Sequence, residues 1–148
     1  MFSVSAEPVT AFVDAFTAAL VTDAAYAALV TGTYGHVTEA AAATFPYVVI
    51  GTRSVNGDAG AMQVAGSRVS LQLDGWSDTK GPYTVQLIGS RIAAVMERRR
   101  GFSVPGFAVV DGSLHREMSE YLSEFDAERP QHSLYRLVQR WTVEIHES

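Results

Sequence analysis

The segment over residues 45–51 constrains the fold of this chain more than any other part of the sequence. It reads Phe-Pro-Tyr-Val-Val-Ile-Gly, an aromatic and β-branched run with a proline near its start and a glycine at its end. Because its apolar character is continuous, it predicts a strand that is buried on both faces. The chain has 148 residues, 47% of them hydrophobic, which is enough to bury a core in one domain over residues 1–148.

Two other segments show the alternation that is typical of a strand with one buried face. The first alternates Val69, Leu71 and Leu73 with polar residues and runs into the Gly-Trp-Ser of residues 75–77. The second, near the C-terminus, is interrupted only by Gln139 and has apolar residues at Tyr135, Leu137, Trp141, Val143 and Ile145. This alternation predicts that Trp141 packs in the core.

Helical spacing of apolar residues predicts two amphipathic helices. The first follows Ser5, which can cap it, and its stripe consists of Val9, Phe12, Val13, Phe16 and Leu20. The second has Ser77 or Asp78 as its cap and Pro82 near its start, and its stripe consists of Val85, Ile88, Ile92 and Met96. We expect Gly101 to stop this second helix.

A short helical piece is predicted between them. Asp23 can cap it, Gly32 can end it, and its inward-facing residues are Tyr26, Leu29 and Val30. The resulting order is helix, strand, strand, helix and then mostly strand. It predicts a small α+β domain with a mixed, mostly antiparallel sheet and two helices packed on one face.

Residues 114–125 fit this order less well, because their apolar residues have helical spacing. These residues are Leu114, Met118, Tyr121, Leu122 and Phe125. Periodicity alone therefore predicts a helix over 114–125. Residues 53–67 are rich in glycine and include the turn signal Asn56-Gly57, so we expect an exposed loop or a long hairpin tip there.

Composition and charge exclude several classes of protein. The chain has no cysteine, so it has neither a disulfide framework nor a thiolate metal site. Its net charge of -5 does not suit a protein that grips nucleic acid, although it could suit a channel through which DNA slides. Solubility is the simpler explanation of the charge. We see neither a membrane-spanning segment nor a signal peptide, and we expect a soluble cytoplasmic protein.

Residues with catalytic or binding chemistry are sparse. His115 and Glu117 would point the same way on a strand, but the histidines lack metal-ligand spacing, and no nucleophile elbow or phosphate loop is present. We therefore expect no catalytic residues, no metal and no cofactor. The candidate residues are instead those of an interface: Trp76, Arg98, Arg99, Arg100, Asn56 and Gly57.

The three consecutive arginines can be interpreted in three ways. Arg98, Arg99 and Arg100 could contact phosphate, although the acidic composition argues against this. Placed at the end of a helix, they would complement its dipole, which is the simplest interpretation. They could also pair with an acidic patch on a neighbouring subunit.

The order of these segments resembles the tail-completion, or tail-terminator, proteins of long-tailed phages and gene transfer agents. The resemblance covers nearly the whole chain, and no single motif carries it. The matching segments are Ala-Leu-Val-Thr-Asp-Ala-Ala-Tyr-Ala-Ala-Leu-Val at 19–30, the strand at 45–51, Leu-Gln-Leu-Asp-Gly-Trp-Ser at 71–77, the helix at 82–98, His132 and the strand at 140–143.

The resemblance implies a small α+β subunit that assembles into a six-fold ring. Such a ring would sit on the end of the tail tube, contact the major tail tube protein and a head-side neck or stopper protein, and let DNA pass without specific binding. It implies assembly in the host cytoplasm and a final place at the head–tail junction, with no catalytic residues. It also implies a strand where periodicity predicts a helix at 114–125, and we follow the resemblance there.

Three alternatives remain open from the sequence. One is another neck component, a stopper or an adaptor. A second is a small α+β enzyme with a site around His115 and Glu117. A third is a nucleic-acid binder that uses residues 98–100.

Overall fold

The computed structural model describes residues 8–35, 44–52, 67–78, 82–125 and 133–147. Over these ranges the chain forms three helices and six strands. In chain order they are α1 (Pro8–Val21), α2 (Ala24–Ala27), β1 (Gly32–Tyr34), β2 (Tyr47–Thr52), β3 (Ser67–Ser77), α3 (Tyr83–Met96), β4 (Phe107–Val109), β5 (His115–Phe125) and β6 (Ser133–Glu147). The predicted α+β fold is confirmed.

The sheet is mixed and mostly antiparallel, as predicted. Its order is β1-β2-β3-β6, and only the pairing of β1 with β2 is parallel. The far edge of β6 is shared, since β5 pairs with residues 133–142 and β4 pairs with residues 145–147. The strand β6 can hold both partners because it is 15 residues long. It is therefore the central strand of the fold.

The core lies between the sheet and helices α1 and α3. The predicted apolar stripes of both helices and the alternating residues of β3 and β6 are buried there. Trp141 is fully buried, and its ring centroid lies 5.5 Å from that of Phe16, which in turn packs edge-on against Phe12 at 6.0 Å. Each such aromatic pair adds about 0.5–1.5 kcal/mol beyond the apolar area that it buries. The prediction that Trp141 packs in the core is confirmed.

Gln139, which interrupts the apolar alternation of β6, is also fully buried. Its side-chain Nε2 donates to the carbonyl of Gly89 at 3.2 Å, and its Oε1 accepts from the indole Nε1 of Trp141 at 2.9 Å. The amide therefore satisfies the polar end of the buried indole and links β6 to α3. A Cβ at Gly89 would lie 2.6 Å from the Tyr121 hydroxyl, so the helix approaches the sheet closely at this point.

The helix predicted from periodicity over 114–125 is wrong, and the strand implied by the family resemblance is correct. Residues His115–Phe125 form β5, which pairs with β6 and has a bulge between Arg116 and Met118. Leu114 is buried, but Tyr121 and Leu122 are 39% and 37% exposed. The helical spacing therefore does not mark one buried face, and backbone pairing with β6 decides the structure.

The ends of the helices differ from prediction in three places. Ser77 is the last residue of β3 and Pro82 takes the N-cap position of α3 without a side-chain hydrogen bond, so neither Ser77 nor Asp78 caps this helix. The helix ends at Met96, well before Gly101. Gly32 begins β1, because α2 has already ended at Ala27.

The predicted cap of the short helix is confirmed. Asp23 precedes α2, and its side chain accepts a hydrogen bond from the backbone N–H of Tyr26 at 2.9 Å. Tyr26 is buried as predicted, and its hydroxyl lies 2.7 Å from that of Thr33 in β1. Burial raises the pKa of Tyr26 to about 12, so the phenol stays protonated and ties α2 to the edge of the sheet. Ser5 lies outside the described residues.

Candidate interaction surfaces

The three consecutive arginines form a turn after α3 that we call the arginine corner (Arg98, Arg99 and Arg100). Arg98 has a positive φ of 50°, and its backbone N–H donates to the carbonyl of Leu114 at 2.9 Å. This bond fixes the turn beside the start of β5. The corner therefore occupies a defined place at one end of the sheet.

The guanidinium groups of the corner make long contacts with other described residues of the subunit. Arg98 donates to the carbonyl of Gly112 at 3.3 Å, and Arg99 reaches the carbonyl of Val95 in the last turn of α3 at 3.5 Å. Arg100 pairs with Asp111 at 3.3 Å, but the two side chains are 88% and 64% exposed. The contact of Arg99 agrees with the helix-end interpretation. The ion pair of Arg100 restrains its side chain least, because solvent screens the two charges.

Trp76 lies at the opposite end of the sheet, on the face that does not contact the helices. It is half-buried, and the Arg136 guanidinium carbon lies 5.1 Å from the centre of its ring. Arg136 also donates to one carboxylate oxygen of Asp74 from its Nε at 3.0 Å and from Nη2 at 2.7 Å. The carboxylate holds the guanidinium over the indole, so the sequence candidate Trp76 is part of a prearranged cluster.

Further aromatic side chains extend this cluster along β2. Tyr47 is the register partner of Trp76, and its ring centroid lies 5.4 Å from that of Phe45 and 6.1 Å from that of Tyr34. We call Phe45, Tyr47, Trp76 and Arg136 the aromatic row. Burial raises the pKa of Tyr47, so its hydroxyl remains a neutral donor. Tyrosine, tryptophan and arginine are the residues that most often dominate protein–protein interfaces.

An ion pair that sequence reasoning missed joins α2 to α3. Arg91 donates to both carboxylate oxygens of Asp23, at 2.8 Å from Nε and 2.7 Å from Nη2. The hydrogen bond from Arg91, together with the backbone N–H of Tyr26, lowers the pKa of Asp23 to about 2. These partners are 68 residues apart in the chain, so no local pattern could have revealed them.

The charge of the molecule is unevenly distributed. Helices α1, α2 and α3 together contain only Asp14 and Arg91 as charged residues, and Arg91 is paired with Asp23. The eleven residues of β5, by contrast, include Arg116, Glu117, Glu120 and Glu124. The outward side of the helices is thus a nearly uncharged surface.

The geometry does not assemble the weak histidine–carboxylate pair considered from the sequence. The bulge after Arg116 breaks the alternation that would have placed His115 and Glu117 on one face. The Nδ1 of His115 lies 3.0 Å from the carbonyl of Ser113. Within the described ranges, no group of three or more potential ligands could hold a metal ion.

Two other predictions concern the loop and the membrane. Asn56 and Gly57 lie outside the described residues. In the part of the chain that the structure describes, no helix has the length and apolar character needed to cross a membrane.

Two solved structures share this architecture. A chain of the structure titled "Virion of native gene transfer agent (GTA) particle" shares the fold, with a TM-score of 0.66 and 22% identity over 91% of this chain and 96% of that one. The structure of the bacteriophage SPP1 gp17 protein is also similar, with a TM-score of 0.52 and 18% identity over 89% of each chain. A search of curated proteins found no match.

The family is shown by a match along most of the sequence. The family model described as "Tail completion protein gp17" matches residues 14–142, so the chain belongs to the tail completion protein gp17 family. The resemblance inferred from the order of the segments is confirmed. A structural role in tail completion follows from this membership.

Proposed function

We propose that this protein is a tail terminator, which forms a closed ring on the end of a phage-type tail tube, stops its growth and joins it to the head. The observation that carries the proposal is the family match over residues 14–142. The protein would act as a structural subunit and not as an enzyme. It would assemble in the host cytoplasm and remain in the particle at the head–tail junction.

A ring of identical subunits requires a head-to-tail contact between two different surfaces of the same chain. A subunit of 16.0 kDa can give only a modest area to each neighbour. Binding to the tube would therefore depend on several subunits that engage at once, six in the expected ring. Such a ring would end the tube because the face that points away from the tube does not bind further tube subunits.

The two candidate surfaces support contact with two different partners. The aromatic row includes Arg136 near the start of β6, whereas Ser113, just before β5 and close to the arginine corner, hydrogen-bonds to Glu144 near the end of β6. Eight residues of strand separate these positions by about 26 Å. We propose that one end contacts the tail tube protein and the other contacts the head-side neck protein. The net charge of -5 supports passage of DNA through the ring without specific binding.

Addition of the purified protein to growing tail tubes would test the proposal. We expect substoichiometric protein, counted per tube subunit, to stop elongation and to remain at one tube end as a ring under electron microscopy. The matched control is the same protein heated until it unfolds. Tubes that elongate unchanged, with no protein at either end, would contradict the proposal. Protein bound only to isolated heads would indicate a stopper or adaptor instead.

A further inference from the structure

We infer that neighbouring copies in the proposed ring contact each other through the open edge of β5 on one subunit and the outer side of α1 and α2 on the next. This inference rests on the proposed function. The first surface, the β5 flank, consists of Glu117, Glu120, Tyr121 and Leu122. The second, the helix flank, consists of Val21, Ala24, Ala25 and Ala28.

The β5 flank has unused backbone pairing capacity. The strand pairs with β6 along one edge, and no other described strand pairs with it. Backbone groups of alternate residues point towards β6, so about half of the eleven residues direct their N–H and C=O groups to the edge that no described strand covers, and proteins normally cover or protect such an edge. Tyr121 is aligned with Leu137 on the helix-facing side and Leu122 with Arg136 on the other side, so two half-exposed apolar residues lie on opposite faces of this edge strand.

The helix flank is apolar and lacks a free charge. Val21 is 44% exposed, and the three alanines are also exposed. The nearest carboxylate, that of Asp23, is turned towards Arg91 at 2.7 Å. Asp14 is also exposed on the outer side of α1, but it lies about two turns from Val21, so the four residues of the flank form an uncharged patch of the kind found at the centre of interfaces.

The two flanks are separate surfaces of the subunit, as a head-to-tail ring requires. The hydroxyl of Tyr26 in α2 lies 2.7 Å from that of Thr33 in β1, and β1 is the first strand in the order of the sheet. The strand β5 lies beyond β6 at the other edge. Each copy can therefore use both surfaces at once, one towards each neighbour.

Charge argues against pairing of β5 with a second β5 and in favour of the helix flank. Glu117 and Glu120 are both exposed, and antiparallel pairing of two β5 strands would bring these carboxylates towards each other. The same acids oppose contact with DNA phosphates. The four residues of the helix flank carry no charge, and the exposed Asp14 lies seven residues before Val21, so a second copy offers an uncharged apolar patch to Tyr121 and Leu122.

Disulfide formation provides a direct test, because the natural chain has no cysteine. The double variant Val21→Cys/Leu122→Cys would be assembled into particles and oxidised. On non-reducing gels we expect a ladder of cross-linked oligomers whose largest member is the complete ring. Neither single variant should give a ladder. A dimer from Leu122→Cys alone would overturn the inference, since it requires two β5 strands in contact. The matched control is Val21→Cys/Val110→Cys, because Val110 has the same 44% exposure as Val21 but lies in neither flank.

Charged variants test the same inference without requiring the two introduced cysteines to lie within disulfide distance of each other. Ala25→Glu and Leu122→Lys each place a charge in one flank, and we expect each to weaken ring formation on tubes roughly a hundredfold. Mixed with each other, the two variants alternate an unaltered contact with one that places the introduced lysine opposite the introduced glutamate, so mixing should restore ring formation on tubes. Normal rings from either variant would overturn the inference and leave the proposed function intact. Absence of the natural protein from tube ends would instead overturn the proposed function.

Discussion

The helices contain few charged residues, whereas the β5 edge and the arginine corner contain several. Helices α1, α2 and α3 contain two charged residues, and Arg91 is neutralised by Asp23. The strand β5 and the arginine corner carry several exposed charges, and the contacts of Arg98 and Arg100 with other described residues are long, at 3.3 Å each. Buried apolar side chains hold the helices against the sheet, whereas β5 and the arginine corner present charged side chains to solvent. Stability should therefore depend on the helix-facing layer, whereas changes at the edge should affect assembly.

The sharpest test of this comparison is removal of the largest core side chain. We expect Trp141→Ala to lower the free energy of unfolding by about 3–5 kcal/mol, because the indole is fully buried and a cavity would remain. Urea denaturation would measure the change. The matched change at the edge is Leu122→Ala, for which we expect less than about 1 kcal/mol. Equal losses for the two variants would refute the proposed division between the regions.

The buried amide of β6 gives a smaller effect. We expect Gln139→Leu to lower the free energy of unfolding by about 1–3 kcal/mol, because the indole Nε1 of Trp141 loses its acceptor. The double variant Gln139→Leu/Trp141→Phe removes donor and acceptor together, so a double-mutant cycle should show positive coupling. Additive losses would mean that the hydrogen bond contributes nothing measurable.

A substitution that relieves backbone strain in the arginine corner should raise the stability of the protein, whereas the two core variants lower it. Arg98 has φ 50°, a conformation that glycine adopts without steric cost. We expect Arg98→Gly to raise the thermal midpoint modestly, by an amount that corresponds to no more than about 1 kcal/mol. The control is Arg100→Gly. A clear loss of stability in Arg98→Gly would show that the contacts of the Arg98 side chain outweigh the backbone strain.

The ion pair between Asp23 and Arg91 should give the smallest effect, because Arg91 is 39% exposed and solvent screens the pair. The pKa of Asp23 in the folded protein is about 2, compared with a usual value of 3.8. Its contribution is therefore present above pH 3.8 and is lost as the pH falls towards 2. Urea denaturation between these pH values should show a shallower decline for Asp23→Asn than for the natural protein. Parallel curves would exclude this contribution.

The two regions also differ in how well the sequence predicts them. The stripes of α1 and α3 and the alternation of β3 and β6 predict those elements, because each buries one regular face against the core. The open edge at β5 is not constrained in this way, since Tyr121 and Leu122 are half-exposed and their spacing carries no information about burial. Family resemblance, and not periodicity, predicts the strand there.

Short elements and long-range contacts explain the other differences. The strands β1 and β4 have three residues each, which is too few to produce a pattern. The sequence singles out Trp76 but not its partners, because Arg136 and Asp74 meet across 62 residues of chain. The arginine corner is recognisable as a basic run, yet its position beside β5 depends on a turn that begins after α3 has already ended.

Electron microscopy of particles made without this gene tests the central claim most directly. If the protein is the terminator, tails should have a broad length distribution and heads should remain unattached, and supply of the intact gene should restore both. Tails of normal length with unattached heads would assign the protein to the head side of the junction. Normal, joined particles would contradict the account.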